Sequence, residues 1–439
     1  MIGAFKIGRE GGLYQPTLPA EDRHHAPIRM RERKTIRTAH GLLLALVLAG
    51  AVSISIHMRQ GAATGGTIGG SGDLDVWLLD SVPLMSVGDS EADPLHEVAG
   101  IVITGSHVVI AQEGAGTLRF YDRKGSLDHV VGGRGEGPGE FGELAWMRGV
   151  GDHLVTYDGY GRRVSRFSLD GRYLGSVALS PPEEYQAGLS ALGAFSDGTV
   201  LGNLWDVRFL PTEPEVQRRP VTLLHFDSQG GFAGRFFEMA GPETWYEPVG
   251  NAGSRQMSRF FGRVSEAAVI DSLFVVVEND SYDIPVYGRD GVVRDTLRPG
   301  VVPEPTPLPR SQVEFIRQTL LDSRDLGSVR GEVERMLAAM GLPEHLPPYG
   351  RLSLGYPKHP PVTAADGLVW ALRYGGLPRE GSDPEGPEWF VFRPGAGQIA
   401  TLSSPDDVVL FDVTGDLAAV LRRTALDEEV VELRRIVGR

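Results

Sequence analysis

Residues 118–131, LRFYDRKGSLDHVV, carry a β-rich run into a Tyr-Asp dipeptide, a turn closing on Gly125, and a second β-rich run. The device recurs at Phe167 to Asp170-Gly171, Phe226-Asp227 to Gly230, Tyr287 to Asp290-Gly291 and Phe392 to Gly395. Upstream of each copy a second short turn leads into a strand: Gly105-Ser106, Gly151-Asp152, Asp197-Gly198, Asp271-Ser272 and Asp366-Gly367. Glycine and aspartate suit such turns because they tolerate the positive φ or supply the local hydrogen bonds that tight reversal needs. Four short strands joined by tight turns, repeated at about 45–60 residues, is the pattern of a propeller blade. The expected fold class is therefore all-β.

Working outward, the strands group in fours over residues 98–131, 144–178, 190–237 and 264–297, with a less regular group over 361–402. The last group, over 408–436, has three strands. Its missing outer strand is expected from Val76–Val87, lying beside Val430–Ile436. A ring closed in this way leaves no exposed edge to template aggregation. Six blades follow, or seven if Val76–Val87 belongs to a further blade.

The stretch LRFYDRKGSLDHVVGGRGEGPGEF (118–141), followed by HLVTYDGYGRRVSRFSLDGRYLGSV (153–177), resembles the six-bladed β-propeller family of bacterial surface and periplasmic proteins related to NHL-repeat propellers. The Gly-Glu-Gly-Pro-Gly-Glu-Phe run (135–141) is the more specific part, and the resemblance thins from residue 299 onward. Ser404-Pro405-Asp406-Asp407 is similar to the SPDG turn of TolB-type propellers, in a single copy. The resemblance implies an exported six-bladed propeller and brings no catalytic residues with it.

Export is also read from the residues. From Thr38 to Met58 no Asp, Glu, Lys or Arg occurs, and Arg29, Arg31, Arg33, Lys34 and Arg37 stand just before. A basic flank and an apolar run of about 20 residues mark a signal anchor or an export signal, basic side in the cytoplasm. Ala49-Gly50-Ala51 would suit cleavage, which leaves a secreted form open. The expected order is a cytoplasmic basic tail (1–37), a membrane-anchor helix or signal peptide (38–58), a flexible linker (59–72) and the propeller (73–439). Met30 offers an alternative start, which would leave residues 1–29 untranslated. The expected location is the inner membrane with the propeller outside the cytoplasm.

Composition removes several function classes. The chain of 439 residues is 41% hydrophobic and has no cysteine, so disulfides, thiolate metal sites, cysteine nucleophiles and lipidated cysteines are all excluded. The first 60 residues hold 9 Lys+Arg and 4 Asp+Glu, which leaves 34 against 53 beyond them, a net of −19. Such a domain is repelled by phosphate backbones, so nucleic acid is not an expected partner. The Gly132–Gly142 run lacks a Walker Lys-Ser/Thr pair and a following helix, and therefore reads as a structural turn. No HExxH, GxSxG or EF-hand pattern occurs, and His96-Glu97 has no second histidine at the required spacing.

Strand parity points to a working face. In a meander a-b-c-d, the a–b and c–d turns lie on one side of a propeller and the b–c and d–a connections on the other. Every large insertion falls at the second parity: 205–220, 238–263, 298–360 and 374–388, together with the 133–141 loop. Long loops on a rigid scaffold are where binding residues concentrate. The 298–360 insertion is expected to form two amphipathic helices, one opened by a capping box at Ser311 to Glu314, the other running from about Val329 to Met340 and stopped by Gly341.

The candidate binding residues on this face are Arg134, Glu136, Glu140, Phe141, Trp205, Asp206, Arg208, Trp245, Tyr246, Arg255 and Arg259. Aromatic faces beside fixed arginines and acids suit a protein, peptide or glycan. The expected function is non-catalytic binding, with no catalytic residue, metal or cofactor. A hydrolase or lyase of the propeller-lactonase type, with an acid-lined channel that does or does not hold a metal, is the alternative. Replacing Trp245 and Arg259 together is expected to abolish capture at little cost to folding.

Overall fold

The computed structural model describes residues 74–90, 93–185, 188–205, 211–249, 253–322, 330–350, 360–374, 387–404, 408–424 and 428–439. The tail, anchor and linker expected over 1–72 lie outside them, as do Asp206, Arg208 and the Pro405–Asp407 part of the TolB-like turn. Among the described residues no helix is long and apolar enough to cross a membrane.

Two strands, β1 (Asp75–Leu79) and β2 (Met85–Val87), precede the repeating part. The first meander is β3 (Val98–Ile103), β4 (His107–Gln112), β5 (Thr117–Asp122) and β6 (Leu127–Gly132). The second is β7 (Leu144–Val150), β8 (His153–Asp158), β9 (Arg163–Ser168) and β10 (Tyr173–Ala178). The third comprises β11 (Leu189–Ala194), β12 (Val200–Trp205), β14 (Val221–Phe226) and β15 (Phe232–Met239), with β13 (Glu215–Arg218) looped out of it. After β16 (Glu243–Val249) and β17 (Gly253–Ser258) comes a fourth meander of β18 (Glu266–Ile270), β19 (Leu273–Val277), β20 (Ile284–Gly288) and β21 (Val293–Leu297). Helices α1 (Arg310–Asp322) and α2 (Arg330–Met340) follow. The remaining strands are β22 (Val362–Ala365), β23 (Leu368–Leu372), β24 (Glu388–Arg393), β25 (Gly397–Ser403), β26 (Val409–Thr414), β27 (Leu417–Arg423) and β28 (Glu429–Val437).

Burial is high in the second strands and low in the fourth strands of the first two meanders, and the sequence of each strand follows. Strands β3, VAGIVI, and β23, LVWAL, are buried throughout, as suits strands covered on both faces. The fourth strands β6 and β10 alternate between exposed and half-buried residues. Apart from the one built by the insertions, each apolar cluster lies between neighbouring meanders. Val109, Leu118 and Phe120 pack against Leu144, Leu154 and Phe167. Val155, Tyr157 and Val164 pack against Leu189, Val200 and Phe226. Leu201 and Leu223 meet Phe274 and Val276, and Val275 and Val286 meet Val369 and Phe390. Trp370 and Val391 meet Leu410 and Val420, while Val409 and Leu421 return to Val98 and Ile110. Meanders stacked face to face in chain order, with the last packed on the first, make a propeller-type all-β fold.

The closing strand differs from the single strand expected over Val76–Val87. Strand β2 pairs with β28 through Met85↔Leu433, Ser86↔Glu432 and Val87↔Val431. Strand β1 touches β28 only at Leu78↔Val437 and Leu79↔Ile436, and otherwise runs parallel to β25, from Asp75↔Ala400 to Leu78↔Ser403. Pro83, which has no N–H, and the Asp80 carboxylate accepting from Val82 N at 3.0 Å break the run between them. The N-terminal segment therefore stitches two meanders together. Arg439 adds a latch, its guanidinium 5.3 Å from the Trp77 ring centroid and 5.5 Å from that of Trp370.

Deleting residues 74–88 uncovers the outer edge of β28 and strips Trp77, Leu79, Met85 and Val87 from two cores. The expected outcome is aggregation, or loss of the cooperative melting transition. A soluble deletion variant with an unchanged melting temperature would refute this role for the segment.

Candidate functional site

The segments at the second parity fold onto one another. Strand β13, from the β12–β14 connection, pairs antiparallel with β16, from the β15–β18 connection, over Glu215↔Tyr246 to Arg218↔Glu243. Strand β17 completes this three-stranded satellite sheet. Both insertions had read as loops because their runs are short and Pro248 interrupts β16; their pairing is non-local. The helices cover this sheet. Ile316, Leu321, Val333, Leu337 and Met340 share a core with Trp245, Phe260, Phe261, Leu346 and Tyr374. Helix α1 starts at Arg310, ahead of the expected Ser311 cap, with the Pro309 carbonyl accepting from Gln312 N at 3.0 Å. Helix α2 ends as expected: Gly341, at φ +58°, donates to the Leu337 carbonyl at 3.1 Å.

This cap is anchored by a charge network around Glu243, which is 5% exposed. Its Oε2 accepts from Arg259 at 3.0 Å and its Oε1 from Arg263 Nε at 2.8 Å. Arg263 also pairs with Asp280, which accepts from Arg218 at 2.7 Å. Arg218 donates to Ser265 Oγ at 3.0 Å. Arg259 Nε donates to the Gly341 carbonyl at 2.9 Å, at the electronegative end of α2. Burial would raise the Glu243 pKa, but the hydrogen bonds and charges of Arg263 and Arg259 outweigh it and hold the carboxyl below its ordinary range.

The candidate residues thus divide. Trp245 and Tyr246 are each 1% exposed, Trp245 within the cap core, and Arg259 is committed to Glu243 and α2. The expectation that Trp245 and Arg259 can be replaced at little cost to folding is therefore overturned; truncating a buried tryptophan costs about 3–5 kcal/mol. Arg255 pairs across the strands with Glu247 at 3.2 Å, and Trp205 is half-buried at the end of β12. Phe141 is fully buried, as the plug of the 133–141 loop.

That loop is pinned by backbone hydrogen bonds from Gly133 to Gly116, Gly135 to Phe141 and Phe141 to Gly133, and presents Arg134, Glu136 and Glu140 to solvent. Arg163 donates to the carbonyls of Glu136 at 2.9 Å and Glu140 at 2.5 Å. Buried Asp158 accepts from the Gly142 and Glu143 amides, each at 3.1 Å, and from Arg163 at 3.2 Å. Gly135 lies directly under the Glu140 carboxylate, the side-chain end that a Cβ there would displace. Arg134 reaches the Gly114 carbonyl at 2.9 Å. Beside it the Glu113 carboxyl is pushed up by burial and then by Glu97 and Glu143, with Arg134 opposing. The result is a pre-organised, acid-rich surface around one arginine.

A second charged group went unnoticed in the sequence. Arg148 on β7 lies within electrostatic reach of Glu266 on β18 and Asp412 on β26. These strands belong to meanders that are not neighbours, so their side chains come within that reach only at the centre of the fold. Asp412 accepts from Ile103 N at 2.8 Å and Val413 N at 2.9 Å. Burial pushes its carboxyl up to about 7, against those two amides and Arg148, with Asp366 adding to the rise. A single charged residue in an otherwise apolar first strand, as in LAWMRGV or VLFDVT, was the available signal. A cleft of about 110 Å³ lies between the second and third meanders, lined by Val150, His153, Val177 and Ser196 among others.

Changing Glu243 to glutamine leaves Arg259 and Arg263 without their shared anion. The expected loss at pH 7 is about 2–3 kcal/mol, read from denaturant midpoints. Because the folded-state pKa is lowered, the carboxylate's contribution is present above its ordinary value of 4.5 and disappears as pH falls through the folded value. The gap between wild type and variant should accordingly narrow below about pH 4. Equal midpoints at pH 7 would show that the network adds nothing to stability.

No protein-family model and no curated protein matches the chain. Among solved structures it is similar to a member of the DUF4221 family from Bacteroides vulgatus, at 11% identity and a TM-score of 0.43, covering 84% of this chain and 100% of that one. It is also similar to streptogramin B lyase (10%, TM-score 0.34, 80% and 86% covered) and to BamB from Moraxella catarrhalis (11%, TM-score 0.27, 78% and 84% covered). At such identities and TM-scores none of these similarities bears on activity.

Proposed function

We propose that this chain is an exported, membrane-tethered β-propeller of six blades, closed by β2 on β28, that binds a protein, peptide or glycan through its insertion-bearing face without catalysing a reaction. One observation carries the reading: segments from separate b–c and d–a connections assemble on one side into a cap with its own apolar core. Among the described residues, the opposite connections of the meanders are tight turns. The recognition surface is the hydrogen-bonded 133–143 loop and its surrounding carboxylates, because Trp245, Phe260, Phe261 and Tyr374 of the insertions are consumed in packing the cap. An acid-rich surface of this kind favours a ligand bearing positive charge. The basic flank before residues 38–58 supports the orientation, with the acidic propeller outside the cytoplasm.

Impermeant crosslinking on intact spheroplasts tests location and face together. Wild type should capture a partner; Arg134→Ala with Glu136→Ala should lose it, with melting temperature unchanged. Lys124→Ala with Arg172→Ala, exposed on the tight turns, should retain it. A propeller inaccessible to the reagent would contradict export. Capture lost only in the tight-turn variant would overturn the choice of face.

The hydrolase or lyase reading is favoured by one observation, the central carboxyl of Asp412, since groups titrating near neutrality suit acid–base chemistry. Its folded-state pKa is raised, so its contribution to stability is full below the ordinary value of 3.8 and is lost as pH rises through about 7. Wild type should therefore lose more melting temperature between pH 5 and pH 8 than Asp412→Asn does. Equal slopes would mean that the carboxyl titrates normally, which removes the support for this reading.

A further inference from the structure

The tight-turn face of the first meander carries a group of side chains that neither reading above uses. His107 opens β4 directly after the Gly105-Ser106 turn, and Asp128 and His129 lie in β6 after the turn closing on Gly125. Phe120 pairs with His129 and Tyr121 with Leu127, so Asp128 is the extra residue of a β-bulge. A bulge re-aims a side chain. Here Asp128 Oδ2 lies 3.2 Å from His107 Nε2 and 3.0 Å from His129 Nδ1.

The second nitrogen of each imidazole is also occupied. His129 Nε2 faces the Asp170 carbonyl at 3.2 Å, and His107 Nδ1 faces Ser106 Oγ at 2.9 Å. The His129 ring is held by stacking on Phe120, centroids 4.3 Å apart and 12° from parallel. Gly171, at φ +88°, lets the next meander's turn close over it, since a Cβ there would lie 2.9 Å from Phe120 and 3.1 Å from His129 Nε2.

This geometry leaves His129 with an imbalance. Both of its nitrogens face oxygen acceptors, a carbonyl and a carboxylate, but a neutral imidazole has one proton. Whichever tautomer is present, one lone pair faces another unless a cation stands between them or the ring is charged. We propose that His107 Nε2, Asp128 Oδ2 and His129 Nδ1 form a binding site for one divalent transition-metal ion, of which zinc is the type.

Two imidazole nitrogens and a carboxylate oxygen are the ligand set such ions prefer. All three atoms lie within 4.8 Å of one another. Bonds of about 2.0–2.1 Å in a tetrahedral site place ligand atoms about 3.3 Å apart, close to the spacings to Asp128. The outer contacts have the form seen around metal-bound histidines, where the second ring nitrogen donates to a carbonyl or another oxygen. The Asp128 side chain is 58% exposed, which leaves room for water to complete the coordination.

The test is a titration of the full-length chain, purified in detergent and freed of metal, with Zn²⁺ and with Co²⁺. Wild type should bind with a Kd of about 10 μM or tighter and give a visible Co²⁺ spectrum of low coordination number. Asp128→Asn should remove one equivalent with metal-free melting unchanged, His129→Gln should remove it together with the stacking on Phe120, and Ser106→Ala should weaken binding about 10-fold. Comparison with the variants separates this site from the histidines of residues 1–73. If His129→Gln fails to fold, Asp128→Asn carries the test alone. Equal uptake by wild type and Asp128→Asn, or no uptake by wild type below about 100 μM, would overturn the proposal and leave a carboxylate hydrogen-bonded between two imidazoles.

Discussion

Strand β28, Glu429–Val437, is the longest strand described, and its outer edge is the point on which the architecture turns. An edge of nine residues with Val431, Leu433 and Ile436 buried against it is a template for pairing with another chain unless it is covered. Coverage comes from strands more than three hundred residues earlier, and it is shared. Strand β2 takes the middle of the edge, while β1 takes its end and crosses in parallel to β25. Because β1 belongs to both meanders, their separation is fixed, and the packing of the last meander on the first follows. Buried Arg434, bonded to Glu432 at 2.6 Å and reaching the Asp80 carbonyl at 3.3 Å, ties this seam with charge as well as with backbone.

The cap obeys a second constraint. A short sheet and two helices cannot make a core large enough to stand alone, so they must be fastened to the scaffold. The fastening is polar. Glu243 on β16 gathers Arg259 and Arg263, and Asp280, in the β19–β20 connection, gathers Arg263 and Arg218. One end of the network thus lies in the satellite sheet and the other in the fourth meander. Such buried charge is a weak source of net stability, because desolvation offsets much of the attraction. Its geometry is demanding, however, and that holds the satellite sheet in one register against the helices.

Bulges do for single side chains what the network does for the cap. The irregularity in β26 between Leu410 and Asp412 sets Asp412 opposite Ala419, on the face turned to β3, where the Ile103 amide meets it. The bulge in β6 turns Asp128 to the side of its own neighbour His129. In a regular strand consecutive residues point to opposite faces, and neither cluster would form.

The repeated turns and the apolar runs between them were legible from the sequence, and the strands of all the meanders were placed within a few residues. So were both helices and the glycine stop at Gly341. These features depend on contacts within a few residues of each other: period-two burial, positive-φ turns, helical stripes. The pairing of β13 with β16, the split of the closing strand, the burial of Trp245 and the pairing of Arg259 with Glu243 were decided by the tertiary structure. The Arg148–Glu266–Asp412 group and the His107–Asp128–His129 group were decided there too. Each joins residues far apart in the chain, or depends on a one-residue slip in register that local periodicity does not encode. An aromatic residue beside an arginine reads the same whether it faces solvent or a helix, and only the packed fold says which.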